Sequence, residues 1–149
     1  MKRPKPIIIG PRLKRGKKRK SKPREIEKPI HVSILSYLRV TLLQGSLIHH
    51  SPNELGINSD EAARAVSKAK EMGMRPGWPD IEFIARQHAG SSIFAMIEVK
   101  SDVGELSARQ KQVRHEAIAL GIPYCVARSI KDVQAFLEWE GIDMRSRLT

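Results

Sequence analysis

The stretch that decides the fold is residues 76–101, which read PGWPDIEFIARQHAGSSIFAMIEVKS. Two segments rich in β-branched and aromatic residues, 80–85 and 93–100, flank a turn region around Gly90. Such segments joined by glycine and serine predict a β-hairpin. The preceding loop, 74–79, holds two prolines and a glycine and cannot form regular structure, so it delivers the chain to the first strand.

Charged residues stand at the open end of this hairpin, where the first strand begins and the second strand ends. Side chains alternate along a strand, so Glu98 and Lys100 share one face and Val99 points to the other. The hairpin brings Asp80, at the start of the first strand, close to the end of the second. Asp80 and Glu98 can then offer two oxygen ligands to one divalent cation, with Lys100 beside them.

This arrangement has the groups that phosphodiester hydrolysis requires. A carboxylate-bound Mg²⁺ or Mn²⁺ acidifies a water and binds the scissile phosphate, while a lysine orients the attacking water. The chain has no cluster of cysteine and histidine, which favours such a hard cation over zinc. The alternative interpretation of Asp80, Glu98 and Lys100 is a surface cross-strand salt bridge.

Outside the hairpin, the apolar spacing predicts four helices and two further strands. Apolar residues recur every four positions from Ile26 to Leu42, which indicates an amphipathic helix starting at Glu25, with Pro29 near its first turn. The order predicts an α/β fold in which one mixed sheet is flanked by helices and the last strand is reached by a helical crossover. The other expected elements are an extended segment at 46–50, helices at 60–72, 107–120 and 129–139, and a strand at 123–127.

The positive charge is concentrated at the N-terminus. The chain of 149 residues has a net charge of +11, and residues 1–28 hold 13 of its 27 basic side chains but 2 of its 16 acidic ones. The remainder is neutral, which predicts a disordered or extended basic arm, 1–24, before a globular domain, 25–149. The densest basic run, expected to neutralise nucleic-acid phosphates without reading sequence, is Lys14, Arg15, Lys17, Lys18, Arg19 and Lys20. A solubilising tail or a localisation signal is the alternative.

Cysteine content and hydropathy exclude other classes. The single cysteine, Cys125, cannot form an internal disulfide, which excludes a disulfide-stapled secreted scaffold. The longest apolar run near the start, 7–9, is too short for a signal peptide or a membrane span. We therefore expect a soluble cytoplasmic protein that acts away from membranes and without a small-molecule cofactor.

Five short motifs follow one another along the predicted domain. They are Gly77-Trp78-Pro79-Asp80, Glu98-Val99-Lys100-Ser101, Gly104, Ser107-x-x-Gln110 and Gly121-Ile122-Pro123-Tyr124, with His50-Ser51-Pro52-Asn53-Glu54 ahead of them. Together they resemble the VRR-NUC family of the PD-(D/E)XK nuclease superfamily. The resemblance covers about residues 25–145 and implies a single restriction-endonuclease-like domain.

The resemblance also implies roles for individual residues. Asp80 and Glu98 would bind Mg²⁺ or Mn²⁺, the Val99 carbonyl would complete the shell, and Lys100 would assist the nucleophilic water. It further implies that Gln110 lines the site and that a glutamate of the first helix contributes, with Glu27 assigned and Glu25 the alternative. Members are often small stand-alone proteins associated with phages and with replication or repair, and related forms pair into dimers. The resemblance thus implies that this chain forms a homodimer and is nucleoid-associated or phage-encoded in a host cell.

These observations predict a Mg²⁺- or Mn²⁺-dependent endonuclease that hydrolyses DNA phosphodiesters. Selectivity for branched or junction DNA is expected, because no recognition helix or second domain is available to read base edges. Gln110 and Trp78 also have alternative interpretations: Gln110 could serve only a helix cap, and Trp78 could stack on a nucleotide or merely fill a packing gap. The competing function is a non-catalytic nucleic-acid-binding or architectural module that acts through its arm.

Overall fold

The computed structural model describes residues 23–51, 60–87 and 90–145, and only the backbone of 23–25. The predicted order of helices and strands is confirmed within these ranges. The elements are α1 Pro23–Thr41, β1 Leu47–His50, α2 Asp60–Glu71, β2 Ile81–Arg86, β3 Ser92–Val99, α3 Ala108–Ala119, β4 Tyr124–Ala127 and α4 Ile130–Trp139. The basic run 14–20 and the motif residues Asn53 and Glu54 lie outside the described residues.

The four strands form one mixed sheet in the order β1-β2-β3-β4. β1 and β2 pair antiparallel, as do β2 and β3, whereas β3 and β4 are parallel. The parallel pair needs a crossover, and α3 supplies it. The predicted α/β class with a mixed sheet flanked by helices is therefore confirmed.

One face of the sheet carries the hydrophobic core. The core is formed by alternate residues of β2 and β3 together with one side of α1 and of α4, which all pack into one cluster. Its strand members are Ile81, Phe83 and Ala85 of β2, Ala95, Ile97 and Val99 of β3, and Ala127 of β4; its helix members are Ile34, Leu38, Val133 and Leu137, and Leu42 directly follows α1. Alternation therefore leaves Glu98, between two core residues, pointing to the opposite face.

Two expectations about helix ends have different outcomes. α1 begins at Pro23, so Pro29 lies inside the helix and the expectation that it stands near the first turn is wrong. α3 has the predicted capping box, formed by Ser107 and Gln110, and Gly121 follows its end with a φ of 74°. In the described ranges, no helix is long and apolar enough to cross a membrane.

Candidate active site

The hairpin register brings Asp80 next to Glu98. Ile81 pairs with Ile97, so Asp80 and Glu98 hold the next positions along the two antiparallel strands. The carboxylate Oδ2 of Asp80 accepts the backbone N–H of Val99 at 2.8 Å. This bond ties the carboxylate of Asp80 to the end of β3, and the predicted juxtaposition is present.

Glu98 and Lys100 form a buried ion pair. Lys100 Nζ lies 2.8 Å from Glu98 Oε1, and the two side chains are 12% and 1% exposed. Both residues belong to the β3 side of the hairpin, so the interpretation as a surface cross-strand salt bridge is wrong. Glu98 Oε2 is buried and has no hydrogen-bond partner among the described residues, although burying a charged oxygen without a partner is costly.

Gln110 joins the helix cap to this carboxylate. Its Oε1 accepts the backbone N–H of Ser107 at 2.9 Å, and its Nε2 donates to Glu98 Oε1 at 2.5 Å. Gln110 is therefore a capping residue and a hydrogen-bond donor to Glu98 at the same time, and its part in a functional site stays a prediction. The carboxylate oxygen Oε1 of Glu98 is shared by an amide and an ammonium.

Gly77 lets the loop before β2 pack directly on the start of α3. Its φ is +83°, and an added Cβ would lie 2.6 Å from the carbonyl carbon of Arg109 and 2.8 Å from the backbone nitrogen of Gln110. Only glycine tolerates both that φ and that approach. The loop that carries Asp80 and the helix that carries Gln110 are thereby held against each other.

Glu27 reaches the site from α1. Its Oε1 accepts the backbone N–H of Ser101 at 3.2 Å, one residue beyond Lys100. Gly104 leaves the space for this contact, because a Cβ there would lie 2.9 Å from Glu27 Oε1. Of the two candidate glutamates, Glu27 is placed beside the end of β3, and the side chain of Glu25 lies outside the described part of the chain.

Burial and crowding of charge shift the pKa values of the site. Burial, together with the negative charge of Asp80, raises the pKa of Glu98 to about 7. Burial also raises the pKa of Asp80, against the lowering effect of the Val99 hydrogen bond. Burial alone would lower the pKa of Lys100, but the bond to Glu98 and the nearby carboxylates outweigh it and raise that pKa. The ammonium thus stays charged while the carboxylates repel one another.

The oxygen donors fit a hard divalent cation. Glu98 Oε2 is a buried, unpartnered carboxylate oxygen next to a second carboxylate, which is the donor chemistry that Mg²⁺ and Mn²⁺ prefer. Within 23–51, 60–87 and 90–145, no group of three His, Cys, Asp or Glu side chains could hold a metal. An ion would therefore rely on Asp80 and Glu98, completed by a carbonyl such as that of Val99 and by water.

Two histidines to which the sequence assigned no role lie beside Asp80. His50 Nδ1 is 3.0 Å from the backbone oxygen of Asp80, and the ring of His31 packs edge-to-face on His50 with centroids 4.6 Å apart. Burial lowers the pKa of His31, against the raising effect of Asp80. His31 follows Glu27 by four residues on α1, and residues with this spacing lie on the same face of a helix. Helical spacing is therefore the sequence signal that places His31 near Glu27.

Trp78 is anchored next to the site. Its Nε1 donates to Glu82 Oε2 at 2.8 Å, and the other oxygen of Glu82 lies 2.8 Å from His49 Nδ1. The indole is half-buried two residues before Asp80. Trp78 is thus fixed by a hydrogen bond, and its contact with nucleic acid stays a prediction.

Comparisons with known proteins bear on the fold. Neither a protein-family model nor a curated protein matches the chain. A solved structure described as a VRR_NUC domain protein matches with a TM-score of 0.58 and 22% sequence identity, over 77% of this chain and 87% of that one. The chain therefore shares the fold of a VRR_NUC domain protein, as its motifs predicted.

Proposed function

We propose that this chain is a metal-dependent endonuclease that hydrolyses DNA phosphodiester bonds. One observation carries the proposal: the carboxylate of Glu98 is buried beside Asp80, with one oxygen held by Lys100 and Gln110 and the other without a partner among the described residues. The likeness to a VRR_NUC domain protein supports the same activity. The bound ion is proposed to be Mg²⁺ or Mn²⁺, held by Asp80, Glu98 and the Val99 carbonyl.

A cation is the ligand that best offsets the charge of this site. The negative charges of Glu98, Glu27 and Asp80 all act on the ammonium of Lys100, and burial raises the pKa of Asp80 and of Glu98. Buried carboxylates without enough positive charge are destabilising. When bound, a divalent ion would acidify a water and polarise the phosphate.

The side chains of the chain itself have separable tasks in this proposal. Lys100 stays protonated, so its Nζ can donate to the attacking water and stabilise negative charge that develops on the phosphate. Gln110 and Lys100 together hold Oε1 of Glu98, so Oε2, which has no partner among the described residues, would be the oxygen that binds the ion. Glu27 fixes the backbone after Lys100 through the N–H of Ser101.

The finer parts of the proposal concern the substrate. The basic arm, 1–24, would bind phosphates through the run 14–20 and so add sequence-independent affinity to that of the domain, 25–149. Trp78 would contact the nucleic acid near the cut. Selection by DNA structure, such as a branch or junction, is part of the proposal, because contacts of the run 14–20 with phosphates would carry no information about base sequence. A homodimer would place two sites on paired strands.

A cleavage panel tests the proposal. Full-length protein is incubated with plasmid, duplex, single-stranded, flap and junction DNA in Mg²⁺, Mn²⁺ or EDTA. We expect cutting only with a divalent ion, with a preference for the branched substrates. Asp80→Ala and Lys100→Ala should abolish it, whereas Glu105→Ala and Lys131→Ala, at exposed positions, should not. Binding without cutting under every ion would favour the non-catalytic module.

A further inference from the structure

The backbone of Ser101 binds two side chains of opposite charge. Its N–H donates to Glu27 Oε1 at 3.2 Å, and its carbonyl oxygen accepts a hydrogen bond from the guanidinium of Arg128. Ser101 is itself buried, directly after Lys100. Arg128 is therefore fixed one residue away from the lysine of the candidate active site.

Arg128 differs from the other arginines of the described chain. Arg128 is partly buried, and all the other arginines in the described ranges are exposed. The exposed ones are Arg39, Arg64, Arg75, Arg86, Arg109, Arg114 and Arg145. Among the described residues, the ion pairs do not include Arg128, so its charge is met by a carbonyl rather than by a carboxylate. A cation removed from water in this way is stabilised by an anionic ligand.

The position of Arg128 suits a ligand that also occupies the candidate active site. β3 and β4 are parallel, so they end at the same edge of the sheet, and Lys100 N–H donates to the Ala127 carbonyl at 2.9 Å. Lys100 and Arg128 thus leave neighbouring strands side by side. A guanidinium has five N–H donors in a planar fork that matches phosphate oxygens, and the Ser101 carbonyl is bound by only one of its nitrogens, Nη1.

We propose that Arg128 binds a phosphodiester of the nucleic-acid substrate adjacent to the one that is cut. The inference rests on the proposed function and extends it, because it assigns a second phosphate contact to the sheet edge. Anchoring by the Ser101 carbonyl sets the guanidinium in place before substrate arrives, which reduces the entropy lost on binding. The contact would set the register of the strand relative to Asp80 and Glu98.

The test measures equilibrium binding to labelled junction and duplex DNA for the unaltered full-length protein and for its Arg128→Gln variant. Ca²⁺ replaces Mg²⁺ to suppress cutting, and salt is varied from about 50 to 200 mM. We expect roughly tenfold weaker binding, because a charged hydrogen bond is removed, and a salt slope shallower by about one. Glutamine can still donate to the Ser101 carbonyl, so a purely structural role would leave the slope unchanged.

Two further variants sharpen the result. Arg86 is exposed and ends β2, at the end of the strand that lies away from Asp80. Arg86→Gln should therefore leave the DNA affinity and the salt slope as in the unaltered protein. Arg128→Lys should keep the slope but bind several-fold more weakly, because an ammonium lacks the guanidinium fork; it also serves if Arg128→Gln does not fold. Unchanged affinity in Arg128→Lys, or equally weakened binding in Arg86→Gln and Arg128→Gln, would overturn the inference.

The outcome is distinguishable from failure of the proposed function. If the protein cuts DNA while Arg128→Gln binds it with unaltered affinity and slope, the nuclease function stands and the role of Arg128 in binding phosphate is refuted. If the protein cuts no substrate under Mg²⁺ or Mn²⁺, the proposed function is refuted, whatever the binding of Arg128→Gln shows.

Discussion

Gln110 donates its side-chain N–H to Glu98 while its side-chain carbonyl accepts the backbone N–H of Ser107. The amide cannot rotate by half a turn without breaking both bonds. The start of α3 and the orientation of the buried carboxylate are therefore set by the same side chain. Gly77 packs the loop 74–79 onto the same turn of α3. The position of that loop therefore also depends on Gln110.

Replacing Gln110 should affect both stability and catalysis. Gln110→Ala removes one half of the capping box and leaves Glu98 Oε1 with Lys100 alone, so we expect a loss of about 1–2 kcal/mol in the free energy of unfolding and roughly tenfold slower cleavage. Ser107→Ala is the control, because it removes the cap but keeps the amide that contacts Glu98. Urea unfolding and single-turnover cleavage measure the two effects. Equal cleavage rates in both variants would show that the Glu98 contact is unimportant.

The raised pKa of Glu98 predicts a pH-dependent stability without metal. Its folded-state pKa of about 7 exceeds the ordinary value of 4.5, so the folded state binds the proton more tightly than the unfolded state. This contribution is complete below the ordinary value and is lost as the pH rises through about 7. In EDTA, the melting temperature should fall from about pH 5 to pH 8 and fall less in Glu98→Gln. Parallel curves for the two proteins would contradict the assignment.

Divalent ions should reverse that loss of stability. An ion that binds the ionised carboxylates stabilises the folded state and competes with the proton on Glu98. We therefore expect Mn²⁺ to raise the melting temperature more at about pH 8 than at about pH 6. Asp80→Asn should remove most of the increase, and Asp102→Asn, at an exposed position, should keep it. An increase of the same size at both pH values would argue against a proton-coupled site.

Gly77 and Gly73 form a matched pair for testing the loop contact. Both have positive φ, +83° and +97°, but a Cβ at Gly73 meets nothing within 4 Å, whereas one at Gly77 meets the backbone of Arg109 and Gln110. Gly73→Ala should cost about 1 kcal/mol, from the backbone conformation alone. Gly77→Ala should cost at least about 3 kcal/mol and reduce cleavage, because the loop must move away from α3. Similar unfolding energies for the two variants would contradict the packing described above.

The basic arm can be tested by neutralising its charge. Replacing the six basic residues of the run 14–20 by Gln in the full chain should weaken DNA binding and make its salt dependence shallower, by about 0.9 for each phosphate that is no longer neutralised. Exchanging Lys for Arg and Arg for Lys at the same positions is the control and should preserve the slope. Cleavage by the neutralised protein should persist at low salt. Unchanged affinity and slope would show that the arm takes no part in binding DNA.

The sequence predicted the hairpin and its charged residues because both follow from local rules. Strand alternation fixes the faces of Glu98 and Lys100, and the short turn fixes which ends of the strands meet. The contact of Glu27 with Ser101 depends on how α1 packs across the sheet, so motif resemblance suggested the residue but spacing alone could not. Arg128 was not identified, because its contact joins the ends of two strands separated by a helix, and no local pattern marks it.

Mn²⁺ titration of the full-length protein, followed by calorimetry near pH 8, tests the central claim most directly. Asp80 and Glu98 are proposed to share one divalent ion, so the unaltered protein should bind Mn²⁺ at this site, and Asp80→Asn and Glu98→Gln should each weaken that binding by roughly a hundredfold. Asp102→Asn, exposed and outside the site, should bind as the unaltered protein does. Mn²⁺ affinity that is unchanged in both Asp80→Asn and Glu98→Gln would contradict the account.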